Sequence, residues 1–281
     1  MIMRMRGKSL ELGEKTLLMG ILNLTPDSFS DGGSCGNVGE ALARAKQMLA
    51  EGADIIDVGG ESTRPGYLPI SPGEEIARII PLIEALVRET EAVVSVDTYK
   101  YPVAEAALAA GAHLVNDIWG LQYDKGEMAR VVAHYGAGLV IMHNRRENVY
   151  PEGLIEGIHA FFRKSVNIAD AAGIPRDRLI FDPGIGFGKD AAQNWEILRN
   201  LGAFRDWGPL LAGASRKRFL TTLTGDVPPR ERDGATAALS VAAVSLGVDI
   251  LRVHDIKGNK VAVDLADHIY RRTGIQNERK R

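Results

Sequence analysis

The sequence predicts an α/β protein of the (β/α)8 TIM-barrel class, folded as a single domain over residues 1–281. Short apolar runs alternate with stretches of helical periodicity eight times along the chain, which is the element order of a barrel of parallel strands. Polar residues follow nearly every apolar run. At 45% hydrophobic residues, the chain also has enough apolar side chains for one large core.

Eight apolar runs are the predicted strands. Each run stops at polar residues, glycine or proline. In chain order they cover residues 17–24, 55–58, 93–96, 114–115, 139–142, 179–181, 210–211 and 250–253. Because the carboxyl ends of barrel strands meet at one rim, we expect the polar residues there to form one site.

A stretch of helical spacing follows each predicted strand. Ile76, Ile79 and Ile83 form an apolar stripe, and Ser71-Pro72 opens that helix, since Pro is favoured at the first helical position. The other predicted helices lie at 41–49, up to 110, 128–135, 155–173, 195–201, 237–246 and up to 270, with a polar loop at 221–234 and a frayed tail at 274–281.

Charge and cysteine content narrow the partners and the location. The chain has 34 basic and 36 acidic residues, so it lacks the excess positive charge typical of nucleic-acid or anionic-membrane binding. Cys35 is the only cysteine, which predicts no disulfide framework and a reducing compartment. No apolar stretch approaches the ~20 residues of a membrane span, and the first ten residues lack the apolar core of a signal peptide. We expect a cytoplasmic protein.

The most specific motif is the segment 181–189, FDPGIGFGK. An apolar strand ends there at Asp182, and the glycine-rich loop after it has a backbone that can approach a ligand closely. A carboxylate in this position is costly to desolvate unless something donates to it. An isolated Asp of this kind is typical of a turn cap.

Similar polar residues end the other predicted strands, which favours a binding site over a set of unrelated turn caps. They are Asn23, Asp97, Asn116, Lys217, Arg252 and His254. A doubly wound open sheet is the alternative fold, but it would not need polar residues at nearly every strand end. Arg252 and His254 are two residues apart, so we expect their side chains to share one face of the last strand.

These motifs resemble those of the dihydropteroate synthase family of pterin-binding barrel enzymes. The matching segments run almost from end to end: 23–33, 60–66, 96–98, 116–117, 142–143, 181–189, 215–217 and 252–255. The resemblance implies condensation of 6-hydroxymethyl-7,8-dihydropterin diphosphate with p-aminobenzoate in folate biosynthesis, with release of diphosphate. It also implies Mg²⁺ as cofactor and a homodimer formed through late helices.

The resemblance assigns residues to three ligands. It places the pterin against Asp97, Asn116, Met142, Asp182 and Lys217. It places the diphosphate against Asn23, Thr63, Arg64, Arg252 and His254, with Asn23 also a Mg²⁺ ligand. It places p-aminobenzoate against Phe29, Thr63, Pro65, Phe187, Lys217 and Arg218.

The chemistry of these residue types agrees with the assignment. A pterin edge presents ring N–H donors and a carbonyl, which suit carboxylates, a carboxamide and a cation. The implied catalytic residues are Asn23, Lys217, Arg252 and His254. They would stabilise the leaving diphosphate rather than form a covalent intermediate.

Two other functions would use part of this residue set. A methyltetrahydrofolate-to-corrinoid methyltransferase would share the Asp/Asn set but would not use Arg64, Lys217, Arg252 and His254 as an anion-binding group. A pterin-binding paralogue without turnover is expected to have lost Asn23 or Arg64, which this chain keeps.

The chain departs from the family pattern at three places, Trp119, the segment 144–146 (Asn-Arg-Arg) and Arg218. These departures affect the expected pocket walls.

Overall fold

A computed structural model describes residues 1–24, 38–61 and 68–271 of the chain. The strands in these ranges are β1 Ile2–Met5, β2 Lys8–Glu11, β3 Leu17–Asn23, β4 Ile55–Gly59, β5 Val93–Asp97, β6 Leu114–Asp117, β7 Gly138–Met142, β8 Leu179–Asp182, β9 Leu211–Ala212 and β10 Ile250–Val253. Strands β3 to β10 form one parallel sheet in the order β8-β7-β6-β5-β4-β3-β10-β9. A parallel bridge from Phe181 to Leu210 joins its two edges. The predicted barrel is confirmed, and the open-sheet alternative is wrong.

The helices of the described residues follow the strands in turn. They are α1 Val38–Ala50, α2 Pro72–Glu89, α3 Tyr101–Ala109, α4 Glu127–Tyr135, α5 Leu154–Ala171, α6 Ala191–Arg199, α7 Thr221–Thr224, α8 Asp233–Ser245 and α9 Ile256–Tyr270. Helix α2 begins as expected, because the Ser71 hydroxyl accepts a hydrogen bond from the Glu74 amide at 3.2 Å.

Two predicted boundaries are wrong. Helix α6 ends at Arg199 rather than at Leu201, where a 3₁₀ helix over Leu201–Trp207 begins. The expected loop at 221–234 contains α7 and a second 3₁₀ helix, Pro229–Arg232, and α8 starts inside it. Both regions contain several short-range i to i+3 hydrogen bonds. The periodicity of apolar residues does not predict such short 3₁₀ segments.

Alternate residues of each barrel strand point to the helices and to the barrel axis. The outward-facing set, which includes Ile56, Val58, Val94 and Val96, packs in the main core beneath the helices. The inward-facing residues at the amino-terminal ends form a second, separate cluster that includes Leu17, Ile55, Val93, Leu114, Ile180 and Ile250.

A β-hairpin closes the amino-terminal end of the barrel. Strands β1 and β2 pair antiparallel around a two-residue turn at Arg6-Gly7, where both φ angles are positive (43° and 79°). Met3, Met5, Leu10 and Leu12 of this hairpin are buried in the inward-facing cluster. A Cβ atom added to Gly138 would lie 2.7 Å from Met5 Sδ, so the hairpin packs directly on the strand backbone. The sequence analysis did not predict this element.

In the described ranges, no helix combines the length and the apolar character needed to cross a membrane. The frayed tail expected at 274–281 falls outside the described residues.

Candidate active site

The site is built by the same inward-facing alternation that builds the apolar cluster. Along β4 the inward residues are Ile55, then Asp57, then Gly59; along β10 they are Ile250, Arg252 and, just past the strand, His254. The side chains are therefore apolar at the amino-terminal end of the barrel and become polar toward the carboxyl-terminal end. The predicted gathering of polar residues at one rim is confirmed.

Arg252 is the centre of this polar end. Its Nε donates to Asp57 Oδ2 at 2.6 Å and its Nη2 to Asp97 Oδ2 at 2.5 Å. Burial alone would lower the pKa of Arg252, but the facing carboxylates of Asp57 and Asp97 outweigh burial and raise it. One permanent cation is thus held between two acidic side chains.

Asp57 is a member of the site that the sequence analysis missed. It is fully buried in the middle of β4, and besides Arg252 it accepts a hydrogen bond from Asn116 Nδ2 at 3.1 Å. Among the described residues its second oxygen, Oδ1, has no hydrogen-bond partner, and neither has Ser95 Oγ on the neighbouring strand. An acidic residue inside an apolar strand was the signal that could have revealed it, since buried carboxylates need partners.

Three predicted pterin residues lie in or beside this cluster. Asn116 binds Asp57 and is not a turn cap. Burial raises the pKa of Asp97 to about 7, although the Arg252 guanidinium acts in the opposite direction. Asp182 does cap a turn, because its Oδ1 accepts from the Gly184 amide at 2.7 Å; burial raises its pKa to about 6.

Asp182 and Arg252 both border Gly213. A Cβ atom placed on Gly213 would lie 3.8 Å from Asp182 Oδ2 and 3.8 Å from Arg252 Cβ. The glycine therefore keeps open the space between the β8 carboxylate and the central cation. Met142 is buried and pairs with Asp182 in the register of β7 and β8.

A cavity of about 560 Å³ opens over the polar end of the barrel. Seven predicted site residues line it: Asn23, Asp97, Phe187, Lys217, Arg218, Arg252 and His254. Arg252 and His254 thus share one face, as predicted. Asn116, Met142 and Asp182 are buried and are not among the lining residues.

Lys217 and Phe187 form one wall of the cavity. Lys217 Nζ lies 3.8 Å from the centroid of the Phe187 ring, which is a cation–π contact. Burial lowers the pKa of Lys217 to about 8. Next to it, Arg216 adopts the left-handed region (φ 58°) and forms two 2.7 Å hydrogen bonds with Asp233 on α8.

His254 is placed by the Ser215-Arg216-Lys217 segment. Its Nδ1 lies 3.0 Å from Ser215 Oγ, and its backbone amide donates to the same oxygen at 3.2 Å. Asp255 is committed elsewhere, because its side chain caps the first turn of α9 through the Gly258 amide. The ends of strands β9 and β10 are therefore coupled at the cavity.

Two half-buried lysines at the rim were also missed. Lys100 Nζ donates to Glu61 Oε2 at 2.6 Å, to Glu75 Oε2 at 2.7 Å and to the Ile70 carbonyl at 2.7 Å, so it ties together residues on both sides of the segment 62–67. Burial lowers the pKa of the second, Lys189, to about 7, against the effect of the Asp182 carboxylate. Lysines with several fixed acceptors are hard to recognise in sequence, because the acceptors come from distant segments.

The departures from the family pattern have different positions. Arg218 is exposed and lines the cavity. Trp119 is half-buried near Tyr123, with ring centroids 6.3 Å apart, and Arg145 lies over the Tyr150 ring at 4.9 Å. Neither Trp119 nor Arg145 is among the cavity-lining residues. The predicted residues Phe29, Thr63, Arg64 and Pro65 lie outside the described residues.

Residues 19–254 match the family described as pterin binding enzyme. Dihydropteroate synthase of Clostridium beijerinckii is 45% identical over 96% of this chain and 100% of its own length, and that of Bacillus subtilis is 43% identical over 98% and 96%.

Solved structures give the same result. Dihydropteroate synthase from Clostridium difficile, determined in the presence of pteroic acid, superposes with a TM-score of 0.90 and 46% identity over 93% of this chain and 99% of that one. The Xanthomonas albilineans enzyme with 4-aminobenzoic acid gives 0.89 and 39%, over 96% and 98%. The chain therefore belongs to the pterin-binding enzyme family and, within it, to the dihydropteroate synthases, which are transferases of folate biosynthesis.

Proposed function

We propose that the cavity condenses 6-hydroxymethyl-7,8-dihydropterin diphosphate with p-aminobenzoate, through the residues described above. The observation that carries this proposal is the hydrogen-bonded group of Arg252, Asp57, Asp97 and Asn116, in which Asp57 and Asn116 are buried and Arg252 and Asp97 line a cavity of about 560 Å³. A buried set of carboxylates, an amide and a cation is costly in an apolar core. It is useful where a polar ligand completes the hydrogen bonds.

The pterin is proposed to bind at the polar end of the barrel. Asp97, Asn116 and Asp182 would accept from or donate to the pterin edge, with Met142 and Lys217 beside the ring. Asp57 holds both Arg252 and Asn116, so its proposed role is to orient these two side chains. Solved dihydropteroate synthases have been determined with pteroic acid and with 7,8-dihydropteroate, which supports this assignment.

The leaving diphosphate is proposed to lie against Arg252, His254 and Asn23, together with Thr63 and Arg64. Among the described residues, the hydrogen bonds of Arg252 use Nε and Nη2, which leaves Nη1 for a substrate oxygen. Negative charge increases on the bridging oxygen as the bond to the pterin methylene breaks. A fixed cation then stabilises the transition state more than the bound substrate.

The arylamine is proposed to bind against Phe187, Lys217 and Arg218, with Phe29, Thr63 and Pro65 completing the slot. The Phe187 ring offers a flat apolar surface next to the Lys217 cation, which suits an aromatic carboxylate. The amine nitrogen would then attack the pterin methylene as diphosphate leaves. The Xanthomonas albilineans structure with 4-aminobenzoic acid supports an arylamine site in a related chain.

Mg²⁺ is proposed to bind with the diphosphate at Asn23. Within 1–24, 38–61 and 68–271 there is no group of three or more His, Cys, Asp or Glu side chains that could hold a metal by itself. The Asn23 amide fits a smaller role: it lines the cavity, and Gly59 leaves room for it, since a Cβ there would lie 2.9 Å from Asn23 Oδ1. Mg²⁺ commonly takes one or two protein oxygens and completes its shell with phosphate oxygens and water. When bound, it would supply positive charge to the diphosphate.

A cytoplasmic homodimer is also proposed. Helix α9 exposes Val261, Leu265 and Ile269, which are 73%, 58% and 58% exposed and spaced four residues apart. Such a stripe on a late helix is typical of a helix-to-helix interface. The sole cysteine, Cys35, agrees with a reducing compartment. Light scattering during gel filtration tests the dimer, with Leu265→Glu expected to give monomers.

Diphosphate release tests the proposed reaction. Wild-type protein is mixed with the pterin diphosphate and Mg²⁺, with and without p-aminobenzoate. We expect release that depends on p-aminobenzoate, together with formation of 7,8-dihydropteroate. Tight pterin binding without release would instead favour the paralogue without turnover.

A further inference from the structure

Lys189 joins the loop after β8 to the end of the neighbouring strand β7. Its Nζ lies 2.9 Å from His143 Nδ1, 2.9 Å from the Gly184 carbonyl and 2.8 Å from the Phe187 carbonyl. In its ammonium form Nζ has three protons and no acceptor, so in that form these three contacts use its whole donor capacity. Two of the acceptors belong to the loop after β8, and the third lies at the end of β7.

His143 is the acceptor that anchors this lysine to the barrel. It is buried, and burial lowers its pKa to about 2, so the imidazole is neutral. A neutral ring whose Nδ1 accepts from Lys189 carries its proton on Nε2. The His143 backbone amide donates to the Asp182 carbonyl at 2.8 Å, which continues the pairing of β7 and β8.

Two glycines show how closely the loop lies on this anchor. A Cβ on Gly184 would lie 1.8 Å from the His143 carbonyl oxygen, and one on Gly188 would lie 2.1 Å from the Arg145 carbonyl oxygen. Both glycines have positive φ angles, 70° and 57°. The loop backbone is therefore in direct contact with residues 143–145, and Lys189 ties the two together.

We propose that Lys189 is a positioning residue that fixes Phe187, and with it the arylamine wall of the cavity, by binding His143 and the carbonyls of Gly184 and Phe187. The inference rests on the function proposed above. Lys189 acts directly on the backbone of Phe187, whose ring lies 3.8 Å from Lys217 Nζ. The pterin residues Asp97 and Asn116 lie on β5 and β6 and make no contact with this lysine among the hydrogen bonds of the described residues. Asp182 is joined to it only indirectly, because its Oδ1 accepts from the amide of Gly184, whose carbonyl binds Lys189.

Direct contact with the substrate carboxylate is the competing explanation, because Lys189 also lines the cavity. In that case a charge on Lys189 would act only on a charged arylamine. A positioning residue affects every arylamine that packs on Phe187. The charge of the arylamine therefore distinguishes the two roles.

The experiment measures steady-state kinetics of wild type and Lys189→Met with each substrate varied in turn. Methionine keeps the apolar stem but donates no hydrogen bond. We expect the apparent KM for p-aminobenzoate to rise about tenfold or more, as for a displaced binding group. We expect the KM for the pterin diphosphate to rise less than the KM for p-aminobenzoate, because Asp182 is linked to Lys189 only through Gly184. The same loss is expected with 4-aminobenzamide, which is uncharged.

A second pair of variants separates the proposed contact from general damage to the fold. His143→Asn can keep an acceptor near the position of Nδ1, whereas His143→Phe keeps a ring without one. We expect His143→Asn to retain most of the arylamine affinity and His143→Phe to reproduce the Lys189→Met defect. Wild-type KM values in Lys189→Met, equal defects in both His143 variants, or a loss confined to the charged arylamine would each overturn the inference. Wild-type protein that releases no diphosphate would instead overturn the proposed function.

Discussion

The two ends of the barrel are built from the same inward-facing strand positions but have opposite character. At the amino-terminal end, Met3 and Met5 of the hairpin pack with inward-facing Leu, Ile and Val residues in a closed apolar cluster. At the carboxyl-terminal end, the next inward-facing residues of β4 and β10 are Asp57 and Arg252, which pair near the barrel axis. The first arrangement stabilises the fold without a ligand. The second borders an open cavity and leaves Asp57 Oδ1 and Ser95 Oγ without a hydrogen-bond partner among the described residues.

Two arginines make this comparison directly testable. Arg252 lies at the carboxyl end of β10 and contacts Asp57 and Asp97. Arg271, at the other end of the barrel, contacts Asp249 at 3.6 Å and Asp267 at 3.0 Å. Each arginine joins two carboxylates, so loss of either one removes the cation that pairs with them. The acidic groups at Arg271 keep other donors, because Asp267 accepts from the Thr16 amide and hydroxyl and Asp249 accepts from the Leu210 amide.

The largest expected effect is on catalysis in Arg252→Met. We expect kcat to fall by about 10²-fold or more, because a fixed donor to the developing negative charge is lost. We also expect the free energy of unfolding to fall by about 3–5 kcal/mol, since two buried carboxylates lose their partner. Single-turnover diphosphate release and urea denaturation measure the two effects.

Arg271→Met is the matched control. It should lose less stability than Arg252→Met, because its contacts are longer and Asp267 and Asp249 keep their hydrogen bonds from Thr16 and Leu210, while kcat under folding conditions stays within about twofold of wild type. A normal single-turnover rate in Arg252→Met would show that the leaving group does not depend on this arginine.

Pterin binding should weaken next most strongly in Asp182→Asn and Asp97→Asn. Each variant removes one charged partner of a buried ligand, which costs about 2–5 kcal/mol. Calorimetric titration with a pterin analogue measures the change. Unchanged affinity in Asp182→Asn would mean that this side chain serves only the Gly184 turn.

The apolar end should respond in the opposite sense. Met5→Ala is expected to lower the free energy of unfolding by about 2–5 kcal/mol, as for other buried Met-to-Ala changes. The kinetic constants should stay unchanged at a temperature where the variant is folded. Of the two core clusters in the described residues, Met5 belongs only to the amino-terminal one. A raised KM for either substrate would show that the two ends are coupled.

Most of the fold could be predicted because its signals are local. Apolar runs bounded by glycine, proline and acidic residues placed all eight barrel strands within one or two residues of their observed bounds. The hairpin was missed although its signals are present: Met3 and Met5 alternate with Ile2 and Arg4, and Arg6-Gly7 suits a tight turn. This strand has only four residues, and among them only Ile2 is a strong strand former, so packing on the barrel determines its structure.

The site was predicted in part for a similar reason. Residues at strand ends, such as Asp97 and Arg252, could be predicted because a barrel brings those ends together. Asp57 lies inside a strand, and its partners Arg252 and Asn116 come from two other strands, 195 and 59 residues away. Lys189 and Lys100 depend on carbonyl acceptors whose directions follow from the loop backbone, which the sequence alone does not specify.

A smaller effect is expected from pH. Burial raises the pKa of Asp182 from 3.8 to about 6, so the folded protein binds a proton that the unfolded chain releases. This contribution to stability is fully present below about pH 4 and is lost as the pH rises through about 6. We expect the stability of wild type relative to Asp182→Asn to fall by roughly 1–3 kcal/mol between about pH 4 and pH 8. A constant difference in urea denaturation would show that Asp182 has the same pKa in both states.

The contrast between the two ends is tested most directly by thermal denaturation of wild type and Asp182→Asn at about pH 8, with and without the pterin diphosphate. Without ligand, we expect the variant to melt at the higher temperature, because it lacks a buried charge that burial disfavours. With saturating ligand, we expect wild type to melt at the higher temperature, because it binds the pterin more tightly. The same order of melting temperatures in both conditions would contradict a carboxyl-terminal end that is unfavourable when empty and stabilised by its ligand.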